Sequence, residues 1–223
     1  MVLFDKVGPA HTAECVSLAL KRAIELDCDV VASSTLGGSA EEILKQAQEL
    51  GFKNQIVIVR GCSHKLGNGI NQMKPEVKKS LEDRGAIVVT AGHALSAGER
   101  GMSFKYKGYG PLEIMADTLR MFGMGTKVAV ECAIMALEAD AIRYGKDVVA
   151  MGGTGRGVDT ALVVTPAYSA QILETVVREM ICKPWDLTPP QMKEIYSERV
   201  ASRLSDVRFW DHLRLLGKDL RRT

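Results

Sequence analysis

The chain has 223 residues, 46% of them hydrophobic and 25% charged, the proportions of an ordinary globular protein long enough to bury one sizeable core but shorter than the ~250 residues of a TIM barrel. Lys and Arg number 29 against 27 Asp and Glu, a net charge of +2, which gives no reason to expect nucleic acid or a membrane surface as partner. The five cysteines are widely and irregularly spaced without a C-x-x-C pair, which argues against a disulfide framework and a structural zinc site; with no leader-like N-terminus and no apolar run of ~20 residues, the sequence reads as cytoplasmic.

Helix-period and strand-like segments alternate along the chain. Apolar residues from Thr12 to Leu26 recur at helical spacing, and Asp29–Ser33 is a short β-rich run. Ser39–Leu50 reads as an amphipathic helix ended by Gly51, and Gln55–Val59 as a buried strand. A polar, glycine-rich loop over 61–73 precedes a helix opened by Pro75 and running to Arg84, and Ala86–Thr90 is the next strand. The stretch 91–110 holds five glycines and reads as a long loop. Pro111 opens a helix to about Phe122, and Thr126–Ala141 is an almost wholly apolar, buried helix. Asp147–Met151 and Thr160–Val164 are strands whose short connection makes them antiparallel. Thr175–Cys182 reads as one further strand at an edge.

This order predicts a three-layer α/β sandwich: a mostly parallel sheet with helices on both faces, an antiparallel edge hairpin, and one domain over residues 1–184. Residues 185–223 differ. Eight Lys and Arg against six Asp and Glu there account for the whole net charge. Met192, Ile195, Tyr196, Val200 and Leu204 make one apolar stripe, and Phe209, Leu213, Leu216 and Leu220 a second. We read this tail as two amphipathic helices that pack on the domain or mediate a homo-oligomer.

The glycines and small polar residues cluster after strands. Ser34–Ala40, Gly61–His64, Ala91–Arg100 and Gly152–Asp159 each follow a predicted strand, and in a parallel sheet all four converge at the carboxyl edge, where small molecules bind. The first of these loops leads directly into a helix, so Thr35, Gly37, Gly38 and Ser39 suit a phosphate, against the plainer reading of an ordinary strand-to-helix turn. The Gly152–Gly157 run is neither G-x-G-x-x-G nor a Walker loop, and a strand follows it; it reads as a hairpin loop presenting Arg156 and backbone amides. His11, His64 and His93 each suit acid–base work or plain hydrogen bonding. Glu131, alone within an apolar helix, must be paired, hydrogen-bonded or protonated. It lies either under the site or against a backbone group, with the structural role slightly preferred.

Three segments together resemble a known family. Thr35–Ala40, then His93-Ala94-Leu95-Ser96-Ala97-Gly98-Glu99-Arg100, then Gly152-Gly153-Thr154-Gly155-Arg156-Gly157-Val158-Asp159-Thr160-Ala161 are similar, in order and without large gaps, to the stand-alone pyruvate kinase α/β (C-terminal) domain-like proteins, over about residues 1–183. Leu36 and Gly38 depart from the smaller or charged residues often found there, and the tail lies outside the pattern. The resemblance implies a pyruvate kinase C-terminal-like sheet and no pyruvate kinase activity, since the catalytic barrel has no counterpart in this sequence. It also implies flavin mononucleotide (FMN) as cofactor, with a flavin-dependent oxidoreductase as one reading. The phosphate would lie on Thr35, Gly37, Gly38 and Ser39. The ring would sit among His93, Leu95, Ser96 and the Gly153, Thr154, Gly155, Arg156, Gly157, Asp159 and Thr160 loop, with no metal. The alternatives are a non-catalytic sensor of a phosphorylated metabolite, as in the regulatory domain of pyruvate kinase, and a structural subunit docking through its tail.

Overall fold

The computed structural model describes residues 1–62 and 69–187. Seven strands, β1 (Val2–Lys6), β2 (Asp29–Ser33), β3 (Ile56–Gly61), β4 (Ile87–Ala91), β5 (Val148–Gly152), β6 (Thr160–Thr165) and β7 (Val176–Asp186), form one sheet in the order β1-β7-β6-β5-β2-β3-β4. β5, β2, β3 and β4 are mutually parallel, in registers such as Val31↔Ala150, Val31↔Val57 and Val59↔Val89. β6 runs antiparallel to both β5 and β7, and β1 adds in parallel outside β7. The three-layer α/β reading therefore holds, with the antiparallel pairings gathered on one side of the sheet. The strand expected at an edge lies one position in, because β1, which the sequence reading did not identify, covers it.

Among the described residues the α-helices are α1 (Thr12–Leu26), α2 (Gly38–Leu50), α3 (Pro75–Asp83), α4 (Ala97–Tyr106), α5 (Pro111–Arg120) and α6 (Met124–Glu138), with short 3-10 turns at Pro9–His11, just before α1, and at Ser169–Glu174. α1, α2 and α3 pack on one face and α6 on the other, as two separate cores show. Val30, Ala32, Val149, Met151, Ala161 and Val163 meet Val16, Leu20, Ile43 and Leu81 on the first face. Their strand neighbours Val31, Val148, Ala150, Leu162 and Val164 meet Ala133, Ile134 and Leu137 on the second. Alternate residues of one strand thus feed different cores, so the central strands are apolar throughout rather than alternating. β5 is buried over its whole length.

The expectation of an unbroken loop over 91–110 is corrected by α4. Its glycines, Gly98 and Gly101, are tolerated because the helix is held at both ends by contacts that the local sequence does not announce. Glu99 accepts the Glu113 N–H at 2.9 Å. Lys107 closes the helix in the left-handed conformation (φ 57°), and the Gly108 N–H bonds the Ser103 carbonyl at 3.3 Å.

The chain steps outward from β2 to β3 and β4 through α2 and α3 on one face. It then returns through α6 on the other face to set β5 on the opposite side of β2. The carboxyl ends of β2 and β5 therefore flank the point where strand order reverses. The compact unit closes at Leu187. The amphipathic stripes expected from Met192 onward, and His64, lie outside the described residues.

Candidate functional site

Two constellations occupy the carboxyl edge. The first is a cleft of about 390 Å³ lined by Pro9, Ala10, Thr12, Ala13, Gly38, Ser39, Glu42 and Gly157. Three loops build it: the β1–α1 turn, the start of α2, and the β5–β6 hairpin loop. Gly37 caps α2 in the left-handed conformation (φ 108°), and a Cβ there would lie 2.6 Å from Val77 Cγ1, so only glycine allows this entry into the helix. The first-turn amides of Gly38 and Ser39 have no carbonyl partner within the helix; the next amide, of Ala40, is taken by Ser34 Oγ at 3.4 Å. Glu42 is the acidic member of the lining and accepts a hydrogen bond from Gln46 Nε2 at 2.7 Å.

The third wall is held to the first by hydrogen bonds. Asp159, 1% exposed, accepts the Gly8 N–H at 3.1 Å and the Thr160 hydroxyl at 3.0 Å. Thr12 Oγ1 accepts the Val158 N–H at 3.2 Å. Gly157 (φ 73°) sits where a Cβ would meet Pro9 Cα at 2.7 Å, so the hairpin loop lies directly against the start of α1. Asp159 and Thr160 are thus buried beneath the cleft, Gly157 lines it, and Arg156 and Gly155 are exposed at the loop tip. The Thr154 hydroxyl is buried with no hydrogen-bond partner. Thr35 is exposed on the turn before Gly37.

The second constellation lies on the α6 face, after β4. Glu131 is 1% exposed and Lys127, one helical turn before it, 5% exposed. Lys127 Nζ bonds Glu131 Oε2, the Leu95 N–H donates to Oε1 at 3.1 Å, and His93 Nδ1 lies 3.1 Å from Oε2. The His93 ring is half exposed, at 54%, and its Nε2 lies 3.1 Å from where a Gly61 Cβ would stand. Burial pushes the Glu131 carboxyl up, but the His93 hydrogen bond and the Lys127 charge outweigh it and hold the group down at about 2. Burial pulls the Lys127 ammonium below its ordinary value, and Glu131 opposes that. Glu131 is therefore ionised, and it both satisfies a backbone group and lies under His93. Leu95 is fully buried and Ser96, 5% exposed, begins α4.

No protein-family model matches the chain. The predicted residues accordingly divide by geometry: Gly38, Ser39 and Gly157 come together in the cleft, while His93, Leu95 and Ser96 gather around Glu131. Pro9, Ala10, Thr12 and Ala13 were not anticipated. Their position depends on β1 pairing with β7, and the only local hint was the Gly8-Pro9 turn ahead of a helix. Lys127 was also missed, although its spacing of four residues from Glu131 is that of a helical ion pair.

Proposed function

We propose that this protein binds a phosphorylated small molecule, FMN foremost, across the carboxyl edge of its sheet. The observation that carries the reading is the cleft where the starts of α1 and α2 meet Gly157. Two helix N-termini direct partial positive charge toward one space, and glycines let backbone approach it closely. Its volume falls in the range of small-molecule sites. The phosphate belongs at Gly38 and Ser39. Glu42, about one turn further along α2, repels a phosphate but accepts hydrogen bonds from the hydroxyls of a ribityl or sugar chain, which keeps the phosphate at the amino end of the helix.

Full-length protein purified without added ligand is expected to show oxidised-flavin absorbance, or to take up FMN in titration, and Ser39→Glu is expected to weaken binding by at least tenfold by setting a carboxylate at the phosphate position. A colourless protein that leaves added FMN free in solution removes FMN from the reading. One observation favours a second occupant: the cleft lining contains no aromatic side chain on which a flavin ring could stack. A sugar phosphate bound without flavin, as in a metabolite sensor, is distinguished by calorimetry with both ligand types.

A further inference from the structure

The α4–α5 pair carries an apolar surface that the fold leaves exposed. None of the ten residues of α4 is buried, although α4 packs on α5 and α5 on α6. A helix this short is marginal in water, and in proteins it is the packing of an apolar face that keeps such a helix folded. α4 has a face of that kind in Met102 and Tyr106, one turn apart. On α5 the inward side is marked by Glu113 and Ala116, which are buried. Ile114 and Met121, two turns apart, stand on its outward side. Tyr109 lies in the turn between the two helices, and Phe122 just after the second. These six side chains are between 53% and 75% exposed.

Scaled from the ~200 Å² of a Phe or Tyr side chain, they present roughly 700 Å². That exceeds the ~300–600 Å² of the largest apolar patch on a typical monomer. With a polar rim it reaches the ~800 Å² that each partner contributes to a stable interface. The charges along the pair are of both signs, Arg100, Lys105, Lys107 and Arg120 with Glu99 and Asp117. A mixed surface of this kind offers an anionic membrane no basic cluster to bind, whereas a two-fold axis brings either sign of one copy to the opposite sign of the other. We propose that the α4–α5 surface is the interface of a homodimer, in which the same surface of a second copy covers α4. The contact between copies then lies within residues 97–122 instead of in the tail, where the sequence reading allowed it.

Sedimentation velocity of the full-length protein reads the mass. Wild type is expected at twice the 24.3 kDa of one chain over a range of about 1 to 100 μM. Ile114→Arg and Tyr106→Arg set a charge into the covered surface from either helix. Each is expected to weaken the dimer at least ~30-fold, as the loss of a central interface contact does, with circular dichroism showing that the variant is folded. Leu173→Arg, at an exposed apolar residue in the 3-10 turn before β7, is expected to leave the dimer intact. In the wild-type dimer the amides of α4 are expected to exchange at least ~100-fold more slowly than in an unstructured chain, since the partner covers the helix. Wild type that stays at the mass of one chain at the upper concentration overturns the proposal. So does an oligomer that both folded α4–α5 variants leave unchanged, or one that Leu173→Arg breaks as readily as they do. Freely exchanging α4 amides in wild type overturn it as well, and that measurement stands even where a variant fails to fold.

Discussion

At the scale of a residue, Glu131 shows how a charge is kept inside an apolar helix. Its one carboxylate answers a buried ammonium, a backbone N–H and an imidazole. Breaking such a pair from one side costs more than removing it whole, because the remaining charge has no partner. Glu131→Gln, which leaves Lys127 buried, is therefore expected to lose about 3–5 kcal/mol in urea unfolding at neutral pH. The double variant Lys127→Met/Glu131→Gln keeps an acceptor for the Leu95 N–H and is expected to lie within about 2 kcal/mol of wild type. A double variant as unstable as the single one would show that the charges themselves stabilise the fold. The sign of the pH effect follows from the depressed carboxyl. With about 2 in the folded protein against 4.5 for the unperturbed group, the stabilisation is complete above about pH 4.5 and is lost as the pH falls toward 2. Acid unfolding of the double variant should accordingly be shallower over that interval. The sequence showed that Glu131 needed a partner, and the i,i+4 spacing of Lys127, passed over in the sequence reading, was the signal that could have named it. It could not point to His93, 38 residues away on another element.

At the scale of an element, the glycines that drew attention in the sequence turn out to be of two kinds. Gly152 ends β5 against α6, and a Cβ there would fall on the Gly125 carbonyl and lie 2.7 Å from the Ala129 amide nitrogen. Neither is a flexible side chain, so Gly152→Ala is expected to cost about 3 kcal/mol or more, as overpacking against backbone does. Gly101 stands inside α4, exposed, with nothing within 4 Å of its Cβ position. Gly101→Ala is expected to stabilise the protein by about 0.5–1 kcal/mol, the helix-propensity difference. Thermal melts of the two variants should shift in opposite directions; a Gly101→Ala melt that does not rise would mean that α4 is not helical in solution. In the sequence the two residues look alike. Composition marks where glycine is frequent, whereas only packing tells which glycine leaves room for a neighbour and which is incidental. That is why 91–110 read as loop.

At the scale of the whole molecule, the alternation of elements was enough to predict the layers and to put four loops at one edge, because each βα step is local and its handedness is fixed. The closure of the sheet was not legible. β1 and β7 lie at opposite ends of the described chain and pair through registers such as Phe4↔Pro184, and no local pattern in Val2–Lys6 names that partner. This closure is testable through the cysteines, which sit at different depths. Cys62 is exposed, Cys28 half-buried, and Cys15, Cys132 and Cys182 buried. Cys15 and Cys182, 3.6 Å apart at sulfur, join α1 to β7, while Cys132 sits in α6 on the other face. Only thiolates react quickly with alkylating agents. Burial pushes the Cys28 thiol up to about 11, and it holds Cys132 well above its ordinary value. Native protein is therefore expected to take up iodoacetamide rapidly at Cys62 alone, with Cys28 slower. The three buried thiols should follow at the rate of global opening, together, if the sheet opens as one cooperative unit. Mass spectrometry of timed samples reads the order. Joint early labelling of Cys15 and Cys182, ahead of Cys132, would show that the β1–β7 side opens by itself. Labelling of Cys132 before Cys62 would contradict the packing of α6 against the sheet.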